Sequence, residues 1–140
     1  MKPLLLLRAL AISAAVATLF FGSGCRGDVG MGESPYVLDL GISPTPPAVG
    51  PARLIISLTD SAGAPVDGAE IVVEGNMSHA GMVPVIDTAQ AEDSGRYGIS
   101  DFTFTMAGDW VLILEASLPD GRQARLEKPT NVVGRIGGDS

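Results

Sequence analysis

The residues best suited to chemistry in this chain lie in one short segment, residues 76–84, NMSHAGMVP. Within six positions it holds Met77, His79 and Met82, and His79 is the only histidine of the chain. Thioether sulfur and imidazole nitrogen are soft or borderline donors, which suit copper(I) better than carboxylates do. The segment therefore predicts a copper(I) site, and Met106, in a later turn, is a candidate fourth ligand.

The same side chains have a purely structural interpretation. Methionine often fills irregular gaps at the edge of a core. On that interpretation Met77 and Met82 are packing residues, His79 is solvated, and Met106 is an ordinary core residue. The segment alone leaves both interpretations open.

Catalytic constellations are not apparent in the sequence. With one histidine, any Ser-His-Asp triad would have to use His79. Glu92 and Asp93 fall in a predicted turn, where acidic residues are usually solvated, and Asp101 and Asp109 lack the dense acidic spacing of a calcium-binding loop. We therefore expect a binding or structural module, and no enzyme.

The charge balance excludes one class of partner. The chain has 9 Lys and Arg residues against 16 Asp and Glu residues, a formal net charge of -7. Nucleic-acid binding needs basic residues to neutralise phosphates, and docking on anionic headgroups needs them too. We expect neither, and the metal-ligand segment remains the main chemical feature.

The N-terminus has the three parts of a secretory signal peptide. Lys2 and Arg8 supply the basic start, residues 9–21 are almost entirely apolar, and the small residues 22–24 follow. We predict that residues 1–24 are a signal peptide. The alternative is an uncleaved anchor, although the apolar segment is at the short end of spanning length.

Cys25 is the only cysteine, so an intrachain disulfide is excluded. Its position after an apolar run and small residues resembles a bacterial lipobox. That resemblance implies a lipidated Cys25 as the first mature residue, a membrane partner through this anchor, and location in the cell envelope. The alternative is cleavage by the ordinary signal peptidase, which leaves a free thiol.

The rest of the chain predicts an all-β domain, because short alternating or apolar runs are separated by Gly, Pro, Asp and Asn. Predicted strands cover residues 36–42, 53–59, 69–74, 85–88, 96–105, 110–118 and 123–133, the last broken by Pro129. About seven strands in a domain of this size favour an immunoglobulin-like β-sandwich over a small barrel.

The predicted core and boundaries follow from the same pattern. Tyr97, Phe102, Phe104 and Trp110 would fill the layer between the two sheets. Residues 25–34 are predicted to be a flexible tether, 35–133 the domain, and 134–140 a loose tail.

Residues 50–121 resemble the YtkA-like domain, which is related to FixH-type accessory proteins. The resemblance lies in three blocks: GPARLIISLTDSAGAPVDGAEIVVE, NMSHAGMVPV and GRYGISDFTFTMAGDWVLIL. They include the Met/His loop after the third strand, Gly95 with Tyr97, and a Met-Ala-Gly-x-Trp motif at residues 106–110. The resemblance implies an extracytoplasmic immunoglobulin-like domain with a role in metal handling or cytochrome oxidase assembly.

Two functions follow as hypotheses. The first is a membrane-tethered module that holds or relays copper(I) through Met77, His79 and Met82, with Met106 as a further donor. The second is a metal-free structural or interaction domain with a protein partner in the cell envelope.

Overall fold

The computed structural model describes residues 34–135, and within them every regular element is a strand. The strands are β1 (Tyr36–Ser43), β2 (Gly50–Asp60), β3 (Glu70–Met77), β4 (Val85–Thr88), β5 (Gln90–Ala91), β6 (Arg96–Phe104), β7 (Gly108–Ser117) and β8 (Gln123–Val132). The predicted signal peptide, Cys25, residues 25–33 of the tether and residues 136–140 of the tail lie outside the described residues. In the described part of the chain, no helix is long and apolar enough to cross a membrane.

The strands form two four-stranded antiparallel sheets. The first has the order β1-β2-β6-β5, and the second has the order β4-β3-β7-β8. Buried and exposed residues alternate along β2 and β7, because one face of each sheet packs on the other sheet and one faces solvent. The predicted all-β immunoglobulin-like sandwich is confirmed.

The predicted aromatic residues fill the layer between the sheets. Tyr97, Phe102, Phe104 and Trp110 are each at most 1% exposed. Phe104 contacts Phe102 and Trp110 edge to face, with centroid distances of 5.4 and 5.3 Å. Such aromatic pairs stabilise a core beyond the apolar area that they bury.

A β-bulge explains why the apolar alternation of β6 changes phase. Ala52 pairs with Phe102, but Leu54 pairs with Ile99, so β6 has an extra residue over this stretch. An extra residue shifts the side chains beyond it to the other face. The bulge thus turns Phe102 inward along with Ile99, although the two are three positions apart.

Four sequence-based boundaries were wrong. β3 continues through Met77, because Asn76 and Met77 pair with β7. β2 begins at Gly50, three residues before its predicted start at residue 53, and the two-residue strand β5 lies between the predicted strands 85–88 and 96–105. Pro129 does not break β8: it pairs with Val111 in an edge strand, where proline is tolerated.

Candidate metal site

The Met/His segment forms the connection between β3 and β4 at one end of the sandwich. The two strands pair antiparallel up to Gly75 and Val85. Beyond that pair β3 extends alone against β7, where Met77 lies opposite Trp110. The remaining residues of the segment therefore project as a loop past the last rung of the β3–β4 ladder.

A tight turn brings His79 and Met82 together. The Met82 N–H donates a hydrogen bond to the His79 carbonyl oxygen at 3.4 Å, and Gly81 has a φ of 88°. Glycine suits the third position of a type II turn, whose first and last Cα atoms lie within about 7 Å. The two side chains therefore start from neighbouring points, His79 exposed and Met82 half-buried.

Met77 occupies a different environment, since it ends β3 on the core-facing side. It is half-buried, and its Cε lies 3.0 Å from the position that a Cβ on residue 108 would take. Residue 108 is Gly108, with a φ of 130°. Because glycine has no Cβ, the methyl group of Met77 fits against its backbone. The Met77 methyl group consequently packs against the first residue of β7, directly after the turn that joins β6 to β7.

That turn also carries Met106, which is 47% exposed. The indole N–H of Trp110 donates a hydrogen bond to the Met106 carbonyl oxygen at 3.0 Å. The buried indole of Trp110 thereby fixes the backbone of Met106, whose side chain is exposed. Sequence reasoning assigned Trp110 only to the core and missed this link, although the Met-Ala-Gly-x-Trp spacing contains both partners of the bond.

The four predicted ligands thus lie at two connections at the same end of the sandwich, β3–β4 and β6–β7. His79 and Met82 are the first and last residues of one β-turn. The Met77 methyl group packs against Gly108, which follows Met106 by two residues. Ser78 alone separates the strand-end methionine from the histidine along the chain.

The donor atoms of the four predicted ligands determine which metals they could hold. Among residues 34–135, no group of three or more His, Cys, Asp or Glu side chains is placed to hold an ion. Zinc and hard cations need such groups. Three thioethers and one imidazole fit the preference of copper(I) for soft ligands, and all four residues are at least partly accessible.

Comparison with known proteins identifies the family. A family model described as YtkA-like matches residues 32–115, which include β1 to β6 and most of β7. The chain belongs to the YtkA-like family. The predicted resemblance is therefore confirmed, and the match includes the whole Met/His loop and the turn of Met106.

More distant comparisons add little. Curated proteins show no significant sequence match to this YtkA-like chain. Among solved structures, CopC from Methylosinus trichosporium OB3b aligns with 72% of this chain and 98% of its own, at 14% identity and a TM-score of 0.47. At that TM-score the likeness is remote, and the sandwich is defined by its own strand pairing.

Proposed function

We propose that this YtkA-like domain is an extracytoplasmic module that holds or relays copper(I). The observation that carries the proposal is the grouping of Met77, His79, Met82 and the Met106 turn at one end of the sandwich. The role in metal handling implied by the family resemblance supports it. The proposed ligand set has thioethers and no carboxylate, so the site would favour a soft ion over a hard one.

Each residue has a distinct part in this proposal. Met77 and Met106 supply sulfur from backbone positions that strand pairing and the Trp110 hydrogen bond hold in place. His79 and Met82 supply nitrogen and sulfur from the exposed turn. Only the imidazole competes with protons for the metal, so binding should weaken but persist in acid.

The second candidate is a metal-free structural or interaction domain. One observation favours it: the Met77 methyl group packs against Gly108 as a gap-filling side chain would. On this alternative the loop residues could be replaced without any change in metal affinity.

We also propose that Cys25 anchors the domain in the cell envelope. Stable attachment requires more than one acyl chain, as bacterial lipoproteins have. Mass spectrometry of the mature N-terminus should show a lipidated Cys25, and a Cys25→Ser variant should leave the membrane or accumulate as precursor. An unmodified mature N-terminus at another residue would contradict the anchor without affecting the copper proposal.

The metal is tested by competition with a copper(I) chelator under anaerobic conditions. The Met77→Leu, His79→Ala, Met82→Leu triple variant should lose the competition, because leucine keeps apolar volume but removes sulfur. His79→Ala alone should flatten the pH dependence of binding, whereas Met82→Leu should weaken binding at every pH. Met31→Leu, at a methionine that is not one of the four proposed ligands, is the matched control and should compete as the parent does.

The competition has a clear contrary outcome. If the triple variant and the parent withdraw copper(I) equally well, the loop is structural and the second candidate stands. Copper(II) and zinc should bind far less well than copper(I), because thioethers are poor ligands for them.

A further inference from the structure

A groove adjoins the candidate metal site and shares Met77 with it, but the outward-facing residues of the groove have no role in the proposed copper chemistry. It lies on the outer face of the second sheet, crosses β3, β7 and β8, and has a volume of ≈ 550 Å³. Strand alternation directs Asn76, Asp109, Val111, Pro129 and Asn131 outward along it. Its surface is mainly apolar, and Val111 is 37% exposed.

One carboxylate of the groove lining, Asp109, and one just outside it, Glu74, accept hydrogen bonds from neighbouring amides. The Asn131 side-chain amide donates to the Asp109 Oδ1 at 2.7 Å, and the Asn76 amide donates to the Glu74 Oε1 at 2.8 Å. Both amides belong to groove-lining residues. The amides orient the carboxylates without neutralising their charge.

Neither carboxylate has a basic partner within 4.0 Å among residues 34–135. Arg125, which β8 directs to the same face, is paired with Glu115 and Glu127. The groove therefore presents uncompensated negative charge on an acidic chain, and a basic partner would complement it.

The strand register gives the offset of the two acidic residues along the strand direction. Glu74 lies opposite Ile113, and Asp109 precedes Ile113 by four residues along β7. Four residues of antiparallel strand span about 13 Å. Val111 lies halfway between them along the strand direction. The outer face of the second sheet therefore presents a negative charge, an apolar side chain and a second negative charge in that order.

An extended peptide has the same rise, and its residues i, i+2 and i+4 face one side. We propose that this groove binds an extended segment of a partner protein that carries basic residues at i and i+4 and an apolar residue at i+2. The basic groups would pair with Asp109 and Glu74, and the apolar side chain would cover Val111. The bound segment would lie beside Ser78, next to the candidate metal site.

The proposal is tested by fluorescence anisotropy with the full-length, metal-free chain in detergent and a labelled peptide, acetyl-Lys-Ser-Leu-Ser-Lys-amide. Binding should be saturable and salt-dependent. The rearranged peptide acetyl-Lys-Leu-Ser-Lys-Ser-amide should bind less tightly, because its charges and leucine no longer share one side. Because the assay contains no copper, a failure of the peptide to bind would not affect the copper proposal. A failure of the chain to bind copper(I) would likewise not affect the peptide proposal.

Isosteric variants locate the site. Asp109→Asn and Glu74→Gln should each raise the Kd by about 1.5- to 5-fold, the range for exposed charge pairs, without lowering Tm. Asp101→Asn, an exposed acid on β6 of the other sheet, should leave the Kd unchanged.

Three outcomes would overturn the proposal. Equal binding of both peptides would show that spacing is irrelevant, and equal weakening by Asp101→Asn would show diffuse attraction to an acidic surface. A concentration-dependent dimer that the peptide dissociates would make a second copy of this chain the occupant.

Discussion

The two ends of the sandwich are built differently. One end holds the β2–β3 and β7–β8 turns and is here called the clamped end. Its side chains form hydrogen bonds that fix these turns. The Asp67 carboxylate accepts hydrogen bonds from the Gly95 N–H at 2.6 Å and the Ser94 hydroxyl at 3.2 Å. The Asp60 carboxylate accepts two more from backbone N–H groups of its own turn.

The opposite end, here called the loop end, holds the β3–β4 and β6–β7 connections. Within residues 78–84 the structure gives one hydrogen bond, between the Met82 N–H and the His79 carbonyl. The side chains there are a histidine, a half-buried methionine and small or apolar residues, and the structure gives none of them a hydrogen bond that fixes the loop.

The two ends differ in how many hydrogen-bonding side chains fix their backbone. At the clamped end carboxylates satisfy backbone donors and fix the turns. At the loop end the groups with ligand chemistry remain uncommitted, so a metal would not first have to displace an existing partner. Stability should therefore depend on the core and the clamped end, and binding on the loop end.

Trp110→Ala should have the largest effect, because Trp110 belongs to the core and also serves the loop end. Truncating a buried Trp costs about 3–5 kcal/mol, a large part of the roughly 5–15 kcal/mol of a small domain. Chemical denaturation should show that loss. Trp110→Phe, which keeps a buried ring but loses the N–H bonded to Met106, should cost less and still weaken copper(I) binding.

Native fluorescence offers an independent check on Trp110. As the only tryptophan of the chain and 1% exposed, it should emit at a short, buried wavelength and shift to the red on unfolding. Emission at the fully exposed wavelength in the folded protein would contradict its place in the core.

Alanine at two turn glycines sharpens the comparison of the ends. Both glycines have positive φ, 66° at Gly95 and 88° at Gly81, which costs other residues about 1–2 kcal/mol. At Gly95 a new Cβ would also lie 2.6 Å from the Pro65 Cβ and 2.9 Å from the Leu58 carbonyl oxygen. At Gly81 it would meet nothing within 4 Å.

Thermal denaturation of the two variants should separate these contributions. Gly95→Ala should lose about 2–4 kcal/mol, the backbone strain plus the steric clash. Gly81→Ala should lose about 1 kcal/mol in stability but disturb the turn that joins His79 to Met82. If Gly81→Ala lost more stability than Gly95→Ala, the proposal that stability depends on the clamped end and binding on the loop end would be wrong.

The sequence predicted the features that depend on local patterns. Alternation located the strands and the buried faces, and a buried Trp110 followed from an apolar run that it opens. The Met/His segment was found by residue type, and its place after the third strand followed from the turn residues around it.

Features that depend on distant residues could not be predicted in the same way. Met77 belongs to β3 because β7 pairs with it, and its packing against Gly108 joins residues that are 31 positions apart. The bulge in β6 likewise depends on register with β2. The groove at Val111 requires three strands that the sequence does not show to be neighbours.

The smallest expected effect is a pH dependence confined to the clamped end. Asp120 receives hydrogen bonds from the Arg122 side chain, the Arg122 backbone and the Tyr36 hydroxyl. Chiefly the Arg122 side chain, and then its backbone N–H, lowers the pKa of Asp120 from 3.8 to about 2. A carboxyl with a lowered pKa stabilises the folded state above its unfolded pKa.

That contribution should be complete above about pH 5 and should disappear as the pH falls from 3.8 toward 2. We expect the Tm difference between the parent and Asp120→Asn to be present at neutral pH and to shrink over this window. Arg122→Gln, which removes the main cause of the lowered pKa, should reduce the same pH-dependent difference. A Tm difference that stays constant down to pH 2 would mean that the charge on Asp120 does not stabilise the clamped end, and that packing of Tyr36 against Arg122, whose guanidinium lies 4.9 Å from the ring centroid, holds it instead.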